Sequence, residues 1–364
     1  MLVAPQRAEG TVLARILFAI YAVLTIYASL HPLEGWRDVV SSPFAFLVAP
    51  WPRSTSGFDI LVNVLGYAPY GFLCVAALYP GSRGAPAFAV AVSSAALLSI
   101  LMESAQNYLP TRFASNVDVL SNVGGAVLGA AVAVAFTPWL LEHGPLRRLR
   151  AGAFLQGAAI DYGLALIALW LFIQLNPTTL LFGAGDLRDL VVPAVNRPRA
   201  PEFFASIEAF TAAANLVAVA LLVSVLAPAD RPVRAMVAAL VATALVVKSS
   251  SFALTRDNAF IWVTPGAFEG LFGGMVIALA AVALPRTARL VLAAVLLMAA
   301  TVLVNLAPAN PYLTNTLRVW HQGHFLNFNG LTRLVSAAWP FIALGYLIFL
   351  AARRGREEAG PARR

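Results

Sequence analysis

The chain has 364 residues, 60% of them hydrophobic and only 12% charged, with a mean hydropathy of +0.78. Soluble domains carry about 25% charged residues, and a fold in water could not cover this much apolar surface, so the composition excludes a soluble globular protein and makes lipid the solvent. The net charge of +8 rests on 25 basic side chains, of which Lys248 is the single lysine; they gather at the ends of apolar runs and read as orientation signals, so no nucleic-acid partner is expected.

The apolar runs are continuous and about 20 residues long, the length with which a helix crosses about 30 Å of hydrocarbon. Strands of a membrane barrel would alternate apolar and polar residues instead. The fold class is therefore all-α: a polytopic integral membrane helical bundle of about ten transmembrane helices. In chain order they fall at 11–30, 59–79, 86–105, 117–137, 160–181, 205–227, 233–252, 259–284, 287–306 and 335–352. The first reads as a retained anchor, because its apolar core is longer than that of a signal peptide and Ala28-Ser29-Leu30 is a poor cleavage site. With the N-terminus inside, the greater share of arginines lies on inside turns (Arg83, Arg147, Arg148, Arg150, Arg231, Arg234, Arg286, Arg289 and Arg353 among them), which places both termini in the cytoplasm. Two outer segments are too long for turns. Residues 31–58 carry an amphipathic stretch from Leu33 to Val48 with Trp36 and Trp51, and 309–334 carry Trp320, Phe325 and Phe328. Both are expected as interfacial helices or re-entrant loops, with the tryptophans at headgroup level.

Ionisable groups inside spans are expensive and usually face protein or an aqueous cavity. The second span opens with Asp59-Ile-Leu-Val-Asn63 and the fourth with Asp118-Val-Leu-Ser-Asn122. In each the acid and the amide are four residues apart and share a helix face, and each Asp sits at a helix start, where the dipole favours negative charge. The third span runs the other way. Glu103 lies about 25 Å along it at 1.5 Å per residue, Gln106 follows, and the turn Leu109-Pro110-Thr111-Arg112 adds a cation. Asp59, Asn63, Glu103, Gln106, Arg112, Asp118 and Asn122 are thus expected at one depth, as a ligand-binding site on the outer face. Gly125-x3-Gly129 allows close helix approach, and Gly66, Pro69 and Gly71 permit a kink in the second span.

The order of these motifs resembles the VanZ-like family of membrane proteins: Asp59-x3-Asn63, Pro69-Tyr70-Gly71-Phe72-Leu73, Ser99-x3-Glu103-x2-Gln106, Leu109-Pro110-x-Arg112, then Asp118-x3-Asn122-x2-Gly125-x3-Gly129. The resemblance covers about residues 12–140, and the remainder looks like the extension of longer members. It implies a role in the cell envelope, because the best-known member is associated with low-level resistance to the glycopeptide teicoplanin. It names no reaction. The expected organisation is a VanZ-like four-span domain (1–140), a basic cytoplasmic linker (141–160) and a six-span membrane region (161–364).

The second half offers fewer signals. Glu208-x6-Asn215 opens its span much as Asp59 opens the second. Glu269 is placed about ten residues into the span at 259–284, near the bilayer midplane, with Lys248 as a candidate partner. His321 and His324 alone make a weak metal pair. The single cysteine, Cys74, allows no intrachain disulfide, and no metal or other cofactor is expected.

Three functions are open to this pattern. One is a binding or transport protein whose outer site engages membrane lipids, a lipid-linked envelope precursor or a glycopeptide, with Arg112 and Arg53 meeting phosphate or carboxylate. Another is an intramembrane enzyme with Glu103 and Asp118 as acid and base. The third is a structural bundle whose polar groups fix register. No catalytic residue is assigned, and the oligomeric state is left open.

Overall fold

The structure, a computed structural model, describes residues 10–39, 42–52, 56–188, 199–253, 258–308 and 326–359. The described residues are helical with no strand, and the chain divides into two compact units, Met1–Tyr162 and Gly163–Arg364.

Unit 1 is an up-down-up-down bundle of α1 (Gly10–Leu30), α2 (Gly57–Leu78), α3 (Gly84–Gln106) and α4 (Asn116–Pro138). The direction of each helix follows from its cross-links. Arg15 near the start of α1 donates to Ala77 O at the end of α2, and Gln106 at the end of α3 donates to Ser29 O at the end of α1. Tyr21 donates to Gly66 O at 2.7 Å, one residue from the carbonyl that Pro69 leaves without its helical donor.

Small residues make the contacts. Among lipid tails there is little hydrophobic drive between helices, so association relies on close packing. Ala87, Ala91 and Ala95 of α3 are wholly buried at four-residue intervals, and Ala126, Ala130 and Ala133 of α4 are wholly buried at intervals of four and three. The parallel pair α2 and α4 comes closer still: a Cβ at Gly125 would strike Val64 O, one at Gly129 would strike Ala68 O, and one at Gly71 would strike Ala126 O. The Gly125-x3-Gly129 face is thus the α2–α4 contact. Large apolar side chains point outward instead, Leu61, Leu65, Leu97, Leu101, Leu120 and Leu128 among them. Small inside and large outside is the arrangement of a bundle solvated by lipid.

After α4 come a π-helical turn (Trp139–His143) and α5 (Pro145–Ala153). The basic linker is therefore largely helical. Arg150 closes it by a 2.7 Å ion pair to the buried carboxylate of Asp161.

Unit 2 contains most of α6 (Ala158–Ile173), then α7 (Pro201–Leu226), α8 (Val233–Ala253), α9 (Pro265–Ala281), α10 (Arg286–Leu306) and α11 (Leu326–Ala359). Helix α7 is its axis, buried without a break from Ala214 to Leu226; a helix that is apolar all round belongs inside. Gly270 and Gly274 of α9 lie against Ala209 and Ala213 of α7. Trp339 of α11, also buried, donates to Leu166 O at 2.8 Å.

Every one of the ten predicted spans is a helix, and eight are long and apolar enough to cross a membrane by length and composition; α6 and α9, with 16 and 17 residues, are shorter. Both shortfalls have local causes. Asn176-Pro177 follows α6, and a residue before proline is pushed out of the α region, so the helix ends at Ile173 and not at 181. Helix α9 starts late because Thr264 caps it, accepting from Ala267 N at 3.0 Å, with Pro265 in the first turn, a pairing that fixes a helix start. Glu269 consequently lies in the opening turns of α9, exposed, and not at mid-span. Its expected partner Lys248 is engaged elsewhere. The stretch Leu33–Val48 is not an interfacial helix either: among its described residues only a single 3-10 turn forms, Ala45–Val48. Residues 309–325, with Trp320, His321 and His324, and Arg53 lie outside the described residues.

Candidate functional site

The seven predicted residues gather at one end of unit 1, where α1 and α3 finish and α2 and α4 begin. The starts of α2 and α4 are alike in sequence, Ser56-Gly-Phe-Asp59 and Ser115-Asn-Val-Asp118. In both, the serine is the cap and the acid stands three residues on, the spacing of a capping box. Ser56 Oγ accepts from Asp59 N at 3.1 Å and donates to Asp59 Oδ2 at 2.7 Å. Asp59 is thus turned to its own helix start, at the edge of the cluster.

The second box is opened. Ser115 Oγ accepts from Val117 N, but the Ser115 backbone N–H donates to Glu103 Oε2 of α3 at 2.9 Å. Asp118 is left to accept from Asn63 Nδ2 of α2 at 2.9 Å, and the same amide reaches Ser121 Oγ at 3.3 Å. Asn122 donates to Ser99 Oγ at 3.0 Å. Four of the predicted residues (Asn63, Glu103, Asp118 and Asn122) therefore bind across helices within one layer. Deeper in the bundle, among the described residues, the Tyr67 hydroxyl and Asn122 Oδ1 are buried without a hydrogen-bond partner.

Arg112 covers this layer. Its Nη2 donates to His31 O at 2.8 Å. Burial lowers the guanidinium below its ordinary value, and the Glu103 and Asp118 carboxyls act against that shift, so the three groups interact electrostatically. Gln106 lies to the side and serves as a tie to Ser29 O.

A second layer lies above, built from a segment that motif reading did not include. Residues 31–39 and 42–52 are laid across the α3–α4 turn by three further bonds: Arg37 N to Tyr108 O at 2.9 Å, Asn107 Nδ2 to Pro43 O at 2.8 Å and Asn116 Nδ2 to Ala49 O at 2.8 Å. Gly35 adopts φ +73°, and a Cβ there would lie 3.1 Å from the Pro110 ring, so the position favours glycine twice over. Between the two segments opens a depression of about 390 Å³ lined by Arg37, Asp38, Val39, Asn107, Arg112, Phe113 and Ala114. Arg37 is exposed on its rim. Phe113 of the lining is exposed, and so are Trp36 and Trp51 of the overlying segment.

The arrangement can hold an anionic group. Two arginines line one opening against a single acid, Asp38, and a guanidinium fork matches carboxylate or phosphate. Asn107 escapes sequence reading because its partner is a backbone carbonyl, and Arg37 because its own backbone N–H makes the bond. The Ser-x-x-Asp spacing was the available signal for the serines.

Comparison with the curated proteins and with the solved structures finds no match. The family model described as VanZ/LLP1 matches residues 8–137, which contain all four helices of the bundle and every residue of the predicted site. Residues 8–137 of the first unit are accordingly VanZ-like.

Proposed function

We propose that the protein is a multi-pass envelope protein of the bacterial inner membrane. In this reading both termini lie in the cytoplasm, and the depression on the outer face binds the anionic group of a lipid-linked or glycopeptide-type ligand. The observation that carries it is the convergence of Arg37 and Arg112 on one opening that exposed Phe113 also lines, with Trp36 exposed next to Arg37 in the chain. Exposed aromatics suit the headgroup region, and the arginines supply forked donors at the same level. Glu103, Asp118 and Asn63 would hold Arg112 in place rather than touch the ligand. The resemblance to a family associated with glycopeptide resistance fits such a ligand class.

A structural reading has its own support. Gln106, Arg112 and Asn107 each donate to a backbone carbonyl of the segment 29–43, as residues that only fix register would. Single changes Glu103→Gln, Arg37→Ala and Asp118→Asn separate the two, with folded yield in membranes measured beside glycopeptide susceptibility. Binding requires that Arg37→Ala fold normally and lose the phenotype. Normal phenotype in Arg37→Ala, with loss of folding in the other two, would leave the structural reading alone. Covalent change of an isoprenyl phosphate probe would point instead to acid–base chemistry by Glu103 and Asp118.

A further inference from the structure

Lys248 is 1% exposed, and among the described residues its ammonium is held in unit 2 without a carboxylate in hydrogen-bond contact. Nζ donates to Asn176 O at 2.8 Å, Thr179 O at 2.7 Å and Thr179 Oγ1 at 3.2 Å. An ammonium has three donors, so its hydrogen-bonding capacity is met by three oxygens of one short segment. That segment is the unwound chain after α6. Gln174, Leu175 and Asn176 close tight turns onto Leu171, Phe172 and Ile173 carbonyls, and Pro177 prevents the helix from continuing. The negative end of a helix dipole and freed carbonyls then point at one spot, which is how broken helices in membranes bind monovalent cations.

The segment is also held by bonds that do not involve Lys248. Asn176 Nδ2 donates to Asn329 Oδ1 at 3.0 Å and to Thr332 Oγ1 at 2.8 Å, while its Oδ1 accepts from Thr178 N at 2.8 Å. The Phe252 ring lies 5.8 Å from Nζ. Glu208 of α7 adds a negative charge that reaches the ammonium through space. The cage is therefore rigid, made of oxygen, faced by an aromatic ring and placed in a negative field.

We infer that the oxygens Asn176 O, Thr179 O and Thr179 Oγ1 form a monovalent-cation site whose resident cation is the tethered ammonium of Lys248. The distances of 2.7–3.2 Å suit an ion of ammonium or potassium size, since carbonyl oxygens that replace a potassium hydration shell present the same chemistry. Unit 2 thus needs no free ion in its native form, and removal of the side chain opens the site to one.

The test uses the full chain in detergent with Lys248→Ala. Thermal midpoints are measured in chloride salts of potassium, ammonium, methylammonium, sodium and choline at constant ionic strength. The native protein should be indifferent to the cation. Lys248→Ala should be destabilised in choline and recover at least half of the lost midpoint in potassium, ammonium or methylammonium. Adding Thr179→Val, which deletes the hydroxyl, should weaken that recovery several-fold. Equal behaviour in choline and potassium would overturn the inference. So would Lys248→Ala that folds in no salt, whether or not Lys248→Met, which fills the volume without charge, folds normally.

Discussion

The Ser115 backbone N–H donates to Glu103 Oε2 of the preceding helix at 2.9 Å, and Asp118, three residues along from Ser115, binds Asn63 instead. One acid thus caps a neighbouring helix, and the acid that would have capped it joins α4 to α2. Glu103 needs only to accept in this role. Glu103→Gln should keep the bond through its amide oxygen, whereas Glu103→Ala leaves a buried N–H unpaired, at a cost of about 1–3 kcal/mol. Unfolding midpoints of both variants check this. Equal loss in the two would show that the carboxylate's charge, and not the cap, holds α3 to α4.

The α2–α4 seam sets a steric prediction. Gly129→Ala puts a methyl into Ala68 O, while Gly124, one turn earlier, has nothing within 4 Å. Overpacking of this kind costs about 1–3 kcal/mol, and Gly124→Ala should stay within about 1 kcal/mol of the native protein, in the stabilising direction. Reversed ranking of the two in thermal stability would mean that the helices do not meet at this face.

A pH dependence follows from His31, which lies beyond the end of α1. Burial lowers its imidazole below the ordinary value, the charge of Arg112 lowers it further, and Glu34 opposes them. The unfolded chain then holds the proton more tightly than the folded one, so stability rises with pH across the interval between the two values. The contribution is present above about pH 6.5, the ordinary histidine value, and is lost as pH falls through the depressed one. His31→Gln should flatten that part of a midpoint-against-pH curve between pH 5 and 7. Histidine resonances in Arg112→Ala should show the His31 value moving up. An unchanged curve in His31→Gln would assign the dependence to another group.

Orientation is open to a labelling test, because the single cysteine, Cys74, is buried. The native protein should resist an impermeant maleimide. Thr111→Cys, at the end bearing the depression, should react in intact cells, and Arg148→Cys only after the membrane is opened. The opposite pattern would invert the protein and move the candidate site to the cytoplasm.

Hydropathy made the helices legible, and matched depth put Asn63 and Asp118 at one level without pairing them. What escaped sequence reasoning is mostly backbone. The acceptors of Arg112, Gln106, Asn107 and Lys248 are main-chain carbonyls, which carry no residue-type signal. Glu269 was misplaced for a different reason: a hydropathy window runs across Thr264-Pro265, whose capping chemistry starts the helix later. The end of α6 was missed in the same way at Asn176-Pro177. Turn chemistry, weighed beside hydropathy, would have corrected both.

The central claim is that Arg37 and Arg112 bind an anion at the depression. Its most direct measurement is equilibrium binding of an isoprenyl monophosphate, beside the matching uncharged isoprenol, to the purified protein in a zwitterionic detergent, read by tryptophan fluorescence. Exposed Arg37 can be removed without touching the bundle. The phosphate should bind the native protein at least tenfold more tightly than the alcohol, and Arg37→Ala should remove most of that difference, about 1.4 kcal/mol per tenfold. Equal affinity for phosphate and alcohol, or a preference for phosphate that survives in both Arg37→Ala and Arg112→Lys, would contradict it.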